Sequence, residues 1–165
     1  MMATFGGREG VSLVQFEPVI LAFAGDCDFL CNFYLVPITV QTRDFGTGVY
    51  PSVEHAFQAQ KARGRGDHDY AGTAPTAAEA KARGRRIALR GDWESVRIDA
   101  MRRALLSKFT QHRQLSDKLR ATAPAFLIEG NTWGDQFWGM TRNPDTDQWE
   151  GQNWLGRLLM AIRDV

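Results

Sequence analysis

Cysteine and histidine are scarce in this chain, which has two cysteines, Cys27 and Cys31, and three histidines, His55, His68 and His112. The cysteines lie four apart, a spacing that serves a metal only if two further ligands converge, and the histidines are scattered without a CxxC or HxxxH pair. No metal and no cofactor is expected, and the thiols read as reduced structural groups of an intracellular chain. Long apolar runs are also missing. Val19 to Ala24 is among the longest, far short of a bilayer span, and the N-terminus lacks the basic and apolar regions of a signal peptide. The expectation is a cytoplasmic protein with no membrane partner.

No internal repeat, linker or low-complexity stretch interrupts the 165 residues. Hydrophobic residues make up 44% and charged residues 24%, with 18 aromatic side chains among them, so disorder and collagen-like architectures are excluded. A chain of 18.5 kDa suits a single domain, residues 1–165 with a core of about 11–163.

The net charge of +1 hides an asymmetry: residues 1–60 sum to −4, residues 61–120 to +8 and residues 121–165 to −3. A basic middle is either a solvated pair of helices or an anion site. Clustering favours the anion site, because Lys81, Arg83, Arg85, Arg86 and Arg90 fall within ten residues and the planar guanidinium fork suits phosphate. A sequence pI near 7.8 is low for a dedicated nucleic-acid binder.

Alternation predicts strands over Val11 to Phe16 and Pro37 to Val40, and Phe126-Leu127-Ile128 reads as a buried strand before a Gly130-Asn131 turn. Ser52 is placed to cap a helix running to about Ala62, stopped by Gly64 and Gly66. Thr76 to Glu79 has capping-box spacing for a second helix. Asp92 is placed to cap a third, with Ile98, Met101, Leu105 and Phe109 on its apolar stripe. Leu115 and Leu119 mark a fourth, ending before Pro124. A long irregular segment then holds Trp133, Trp138 and Trp149, and a last helix with Leu155, Leu158, Leu159 and Ile162 on one face follows Asn153 as cap. The fold class is α+β, a single, mainly helical domain with a few short β-strands.

On the Ser52 helix, Glu54, Gln58 and Lys61 fall within about an 80° arc. They read either as a dipole-complementing acid and a solvated lysine, or as a carboxylate and an amine facing one site. In Asn131 to Gly139 one acid, Asp135, stands among three large aromatics. Those rings either plug the core while Asp135 caps a turn, or form a wall on which a base stacks beside a desolvated acid. Two carboxylates, a lysine, aromatic walls and clustered arginines point to hydrolysis or transfer at a phosphorylated sugar attached to a base.

Leu30-Cys31-Asn32-Phe33-Tyr34, the run Tyr50 to Lys61, Gly84-Arg85, Asp92-Trp93, Lys108-Phe109, Trp133-Gly134-Asp135 to Trp138-Gly139, and Asn153 to Arg163 resemble the NADAR family, named for NAD and ADP-ribose association and also called YbiA-like N-glycosidases. The resemblance runs in order from about Phe16 to Arg163. It implies cleavage of the C1′–N bond of a phosphorylated riboside, either ribosylamino-pyrimidine phosphates of riboflavin synthesis or ADP-ribosylated guanine in nucleic acid, the latter making modified DNA a candidate substrate. By position it implies that Glu54, Trp93 and Asp135 act in catalysis with Lys61, where Lys61 either holds the ribose or phosphate or attacks the opened sugar. Asn32, Phe33, Tyr34, Gln58, Arg85, Arg90, Trp138, Gly139 and Asn153 are the candidates for substrate binding. Two departures stand out: Cys31 replaces the usual serine, and Gln41 to Val49 is longer than the usual turn. The competing classes are a non-catalytic ADP-ribose or NAD binding module and a nucleic-acid-binding protein using residues 61–120.

Overall fold

The computed structural model describes Gly10 and residues 18–165. The strand expected at Val11 to Phe16 lies outside the described residues. Helices and short strands mix as expected for α+β, and the chain divides into two compact units, residues 31–116 and the remainder on either side in sequence.

Residues 31–116 contain a hairpin, β2 (Ile38–Thr42) and β3 (Gly46–Tyr50), in full antiparallel register from Ile38 opposite Tyr50 to Thr42 opposite Gly46; β1 (Val19–Ile20) belongs to the other unit. Ile38, Val40 and Thr42 turn inward while Thr39 and Gln41 stay exposed, the period of a strand with one buried face. The outer edge of β2 is closed by a side chain. Gln111 accepts from the Thr39 N–H at 2.8 Å and donates to its carbonyl at 2.7 Å, which satisfies an otherwise open ladder position.

Helix α1 spans Val53–Ala59, with Ser52 capping it as expected through a bond accepted from the His55 N–H at 3.4 Å. It ends three residues earlier than expected. Its last turn tightens into Lys61 N–H to Gln58 and Ala62 N–H to Ala59 bonds, and residues 61–63 then pair with 88–90 through Arg63 to Ala88 and Arg90 to Lys61. Gly64 and Gly66 do not end structure. Gly64 is the N-cap of an unexpected helix, α2 (Arg65–Gly72), where two glycines and a polar composition concealed a helix that tertiary packing against α1 supports.

Helix α3 (Ala77–Gly84) starts at Thr76, whose hydroxyl accepts from the Glu79 N–H at 3.1 Å. Helix α4 (Trp93–Gln111) buries Met101, Leu105 and Phe109 against β2 and α1, with Ile98 half-buried at the margin. Asp92 occupies its N-cap position without making a cap bond, because both carboxylate oxygens are taken by Arg90. Helix α5 (Arg113–Ala121) buries Leu115 and Leu119 and stops short of Pro124.

His55 is fully buried between the Ser52 hydroxyl at 2.7 Å and the Ala74 carbonyl at 3.0 Å. Burial, against the pull of that carbonyl, holds its pKa below the ordinary histidine range, so the neutral ring is the structural form. Tyr50 is buried too, and its hydroxyl lies 2.8 Å from His68 Nε2, while His68 Nδ1 reaches Asp69 at 2.9 Å. Desolvation pushes the phenol up to about 12, which makes Tyr50 a hydrogen-bond donor and not a nucleophile.

In the other unit, β1 (Val19–Ile20) pairs in parallel with β4 (Phe126–Leu127), and a 3-10 helix over Gly25–Leu30 buries Phe29 and Leu30. The Gly130-Asn131 turn is instead a strand, β5 (Gly130–Asn131), beside β6 (Met140–Arg142), which pairs with β7 (Trp149–Glu150). The tryptophan-bearing segment is therefore partly sheet, ordered by pairings between residues too far apart in sequence for local periodicity to show.

Helix α6 (Trp154–Arg163) buries Leu155, Leu158 and Leu159 against β4, with Ile162 half-buried. Asn153 precedes it in the left-handed region (φ 51°) and makes no cap bond. Its amide donates to the Leu127 carbonyl at 2.8 Å and accepts from the Glu129 N–H at 3.1 Å, tying the helix start to the strand. Cys27 and Cys31 are half-buried, and no disulfide joins them. Among the described residues no helix is long and apolar enough to cross a membrane, and no group of three or more histidine, cysteine or carboxylate side chains is placed to hold a metal ion.

Candidate active site

Glu54 lies in the first turn of α1, where its carboxylate complements the helix dipole, yet it is 5% exposed. The Gln58 amide donates to Glu54 Oε1 at 2.7 Å, one turn along. Burial pushes the carboxyl above its ordinary range, against the Gln58 hydrogen bond and the fields of Lys81, Lys61 and Arg85. The protonated form is therefore favoured more than it is in an exposed glutamate.

Lys61 follows α1 in the tight turn, so its ammonium is not simply solvated. Nζ stands 5.2 Å from the centre of the Phe57 ring and 5.8 Å from that of Trp93, and the two rings pack 5.2 Å apart. Burial lowers the Lys61 pKa, the Glu54 carboxylate resists, and Lys81 and Arg85 lower it further. An acid whose proton is held and an amine whose proton is loosened thus share one electrostatic environment.

Asn32 is buried beside them, its carbonyl accepting the Glu54 N–H at 3.0 Å and its amide reaching Met101 Sδ at 3.5 Å. Its Oδ1 and the Oε1 of Gln58 are buried acceptors without a partner among the described residues, and both can take a hydroxyl or N–H from a ligand. Phe33 is exposed under Lys81, and the Tyr34 ring lies 5.1 Å below the Nζ of Lys108. Cys31 accepts from the Phe33 N–H through its sulfur at 3.4 Å, a bond of the kind a serine hydroxyl would also make.

Gly84 sets the fit of α3 against α1. A Cβ there would stand 1.9 Å from Gln58 Oε1 and 2.7 Å from its Cδ, so Gln58 would have to swing away from Glu54. Gly84→Ala is expected to lower turnover about tenfold or more, the scale set by losing a hydrogen bond to a charged group. Steady-state kinetics beside a thermal melt checks this, and unchanged turnover would refute the contact.

Arg90, expected at the phosphate, is committed elsewhere. Its guanidinium is held by Asp44 and by both oxygens of Asp92, which raises its pKa. Most of the Gln41 to Val49 stretch is strand, and Asp44 belongs to the short turn between β2 and β3, which also places Arg43 near Asp92 and Phe45 against His68, with Arg65 donating to the Phe45 carbonyl. This turn therefore docks on α2 and on the turn before Trp93. Arg85 is exposed on the same helix as Lys81.

Asp135, Trp138, Gly139 and Asn153 belong to the second unit. Asp135 Oδ1 accepts from the N–H groups of Phe137 and Trp138 at 3.0 and 2.9 Å, and Asn131 clasps the Asp135 backbone from both sides. Asp135 thus holds the aromatic turn in shape, with Trp138 packed edge-on to Phe137. Gly139 gives its carbonyl to the Asn153 N–H.

The NADAR domain model matches residues 23–165. The chain belongs to the NADAR family. Among its relatives is the N-glycosidase YbiA of Escherichia coli, 40% identical over 138 residues that cover 81% of this chain and 78% of that one. An N-glycosidase of Nostoc punctiforme is 36% identical over 120 residues, 70% of this chain and 73% of that protein. A riboflavin biosynthesis protein of Vibrio vulnificus is 37% identical over 82% of this chain but only 35% of its own length. The NMR structure of E. coli YbiA superposes with a TM-score of 0.70 at 35% identity, covering 88% of this chain and 81% of that one. The NADAR fold accounts for the α+β class.

Lys81 was missed as a site residue. It stood inside the basic cluster read from the sequence, but nothing local tells which cations of that cluster face Glu54. Lys108, fully buried and donating to the Cys31 carbonyl at 3.0 Å, was likewise passed over, since a lysine in an amphipathic helix ordinarily faces water.

Proposed function

We propose that this chain is a hydrolase of N-glycosyl bonds acting on phosphorylated ribosylamines. The observation that carries the reading is the buried Glu54 carboxylate, raised in pKa and bonded to Gln58, in one electrostatic group with the partly desolvated Lys61. The names of the relatives support the same class, and the riboflavin-related ones favour ribosylamino-pyrimidine phosphates as first substrates.

In such a substrate an exocyclic nitrogen bears both the C1′ bond and a hydrogen. Protonation of the ring oxygen by Glu54 lets the nitrogen lone pair form C1′=N as the C1′–O bond breaks, opening the sugar. The neutral Lys61 amine then adds to C1′, the base leaves as its free amine, and a lysine imine remains. Water hydrolyses that imine, returning Lys61 and releasing the sugar phosphate. Trp93 and Phe57 keep the amine desolvated, while Asn32 Oδ1 and Gln58 Oε1 accept from substrate hydroxyls.

Asp135 is the second candidate carboxylate, and its part in turnover is tested separately. Asp135→Asn retains a carbonyl oxygen for the two backbone N–H groups but loses the charge. Turnover is expected to drop about 100-fold with the melting temperature held; unchanged turnover would leave Asp135 with its turn alone.

The reading is tested by mass spectrometry of sugar phosphate released from a ribosylamino-pyrimidine phosphate, with an ADP-ribosylated guanine oligonucleotide in a parallel tube. Release from the first alone fixes a metabolite substrate, and release from the second moves the substrate to nucleic acid. Silence in both, with ADP-ribose still bound, makes the chain a binding module. The basic middle segment gives little support to binding of unmodified nucleic acid. Arg65 pairs with Asp69, Arg83 with Glu79, Arg97 with Glu94, and Arg102 and Arg103 with Asp99, so these guanidiniums are engaged by neighbouring carboxylates and not left open to a phosphate backbone.

A further inference from the structure

Four of the five cations of residues 81–90 separate into two kinds in the folded chain, while the fifth, Arg86, is exposed beyond the C-cap of α3 and forms no ion pair with a carboxylate among the described residues. Arg83 is bonded to Glu79 at 3.0 Å and to the Tyr70 carbonyl at 2.8 Å, and stacks 4.4 Å from the Tyr70 ring centre. Arg90 is held by Asp44 and Asp92. Lys81 and Arg85 form no ion pair with a carboxylate among the described residues. They stand one turn apart on α3 and its C-cap, where like charges repel. Between them is Gly84, the residue pressed against the Gln58 amide, so this face of α3 is the one turned toward the Glu54 end of α1. Lys81 Nζ also sits 5.7 Å over the ring of Phe33, next in sequence to the Asn32 whose carbonyl holds the Glu54 N–H.

We propose that Lys81, with Arg85 beside it, seats the substrate phosphate and makes the site specific for a dianionic sugar phosphate over the uncharged riboside. The assignment rests on the function proposed above and names what its site reads. The charge count supports it. When Glu54 carries its proton and Lys61 is neutral, the reactive pair contributes no charge, and Lys81 and Arg85 leave two positive charges for a phosphate dianion to neutralise. Both residues also reach Glu54 and Lys61 electrostatically, which places an anion bound to them close to the reacting groups. Phe33 supports the lysine by a cation–π contact that needs no competing carboxylate.

The test is calorimetric binding of ribose 5-phosphate and of ribose to the unmodified protein, Lys81→Met and Lys81→Arg. The unmodified chain is expected to prefer the phosphate at least about tenfold, the weight of one charge-assisted hydrogen bond or more. Lys81→Met is expected to remove most of that preference, and Lys81→Arg to keep it. An unchanged ratio in Lys81→Met, or no preference in the unmodified chain, overturns the proposal. Should Lys81→Met fail to fold in a thermal melt, Lys81→Gln in the same titration decides. Because the probe is not turned over, these outcomes are independent of whether the N-glycosidase assay succeeds. Turnover with an unchanged binding ratio would keep the activity and discard the phosphate seat.

Discussion

Glu54→Gln is expected to cut release of the base by about 10²- to 10⁴-fold, the range for losing a general acid, and at the same time to raise the melting temperature at neutral and alkaline pH. The new amide still offers a carbonyl to the Gln58 N–H, so the local bond survives. What disappears is a carboxylate that burial disfavours. Its folded pKa lies above the unfolded value, about 4.3. Its favourable contribution is complete below that unfolded value and is lost as pH rises through the folded one. The melting temperature of Glu54→Gln minus that of the unmodified chain should therefore be small at pH 4.5 and larger at pH 8. Activity and stability moving in opposite directions is the signature of a group kept for chemistry at a cost to the fold. Retained turnover would end the assignment of Glu54 as acid. Lost turnover with a lowered melting temperature at pH 8 would make it a structural residue.

Lys61→Ala is expected to lower turnover by about 10³-fold, within the range of a lost nucleophile or proton-transfer group, and to abolish a covalent adduct that borohydride traps in the unmodified chain. Hydride from borohydride adds to the lysine imine carbon, turning C=N into a stable secondary amine that carries the opened sugar phosphate. Peptide mass spectrometry locates that mass on Lys61. The yield should rise with pH as the amine loses its proton, beginning below the ordinary lysine value of about 10.4, because burial between Phe57 and Trp93 lowers it and Lys81 and Arg85 lower it further. Lys61→Arg should not restore turnover, since a guanidinium stays protonated and adds to nothing. Turnover without any trapped adduct would leave Lys61 as a group that grips the ribose and would return the bond cleavage to direct attack by water.

Residues Tyr50 to Lys61 show how far a sequence carries such a reading. Ser52 before an apolar run defines the start of α1 because capping is decided within three residues, and the Thr76 cap of α3 was legible for the same reason. The stripe of Met101, Leu105 and Phe109 was equally plain, since a helix has one period whatever it packs on. Arg65 to Gly72 was not legible: two glycines and charged neighbours read as a loop, and its helix depends on contacts with α1 and α3. Asp92 and Asn153 looked like caps and became partners of Arg90 and of the β4 region instead, because a polar side chain bonds to whatever the fold brings within reach.

The chemistry divides along the same line. The sequence by itself determined the α+β class, most helix starts, the family and the set of candidate acids, amines and rings, because these follow from local pattern and from residue identity at matched positions. Only the tertiary structure decided that Glu54 is desolvated and bonded to Gln58, that Lys61 leans on Phe57 and Trp93, and that Arg90 is spent on Asp44 and Asp92 while Lys81 is not. Burial and field strength depend on distances between elements remote in sequence, and a charged residue carries no local mark of which neighbour will neutralise it.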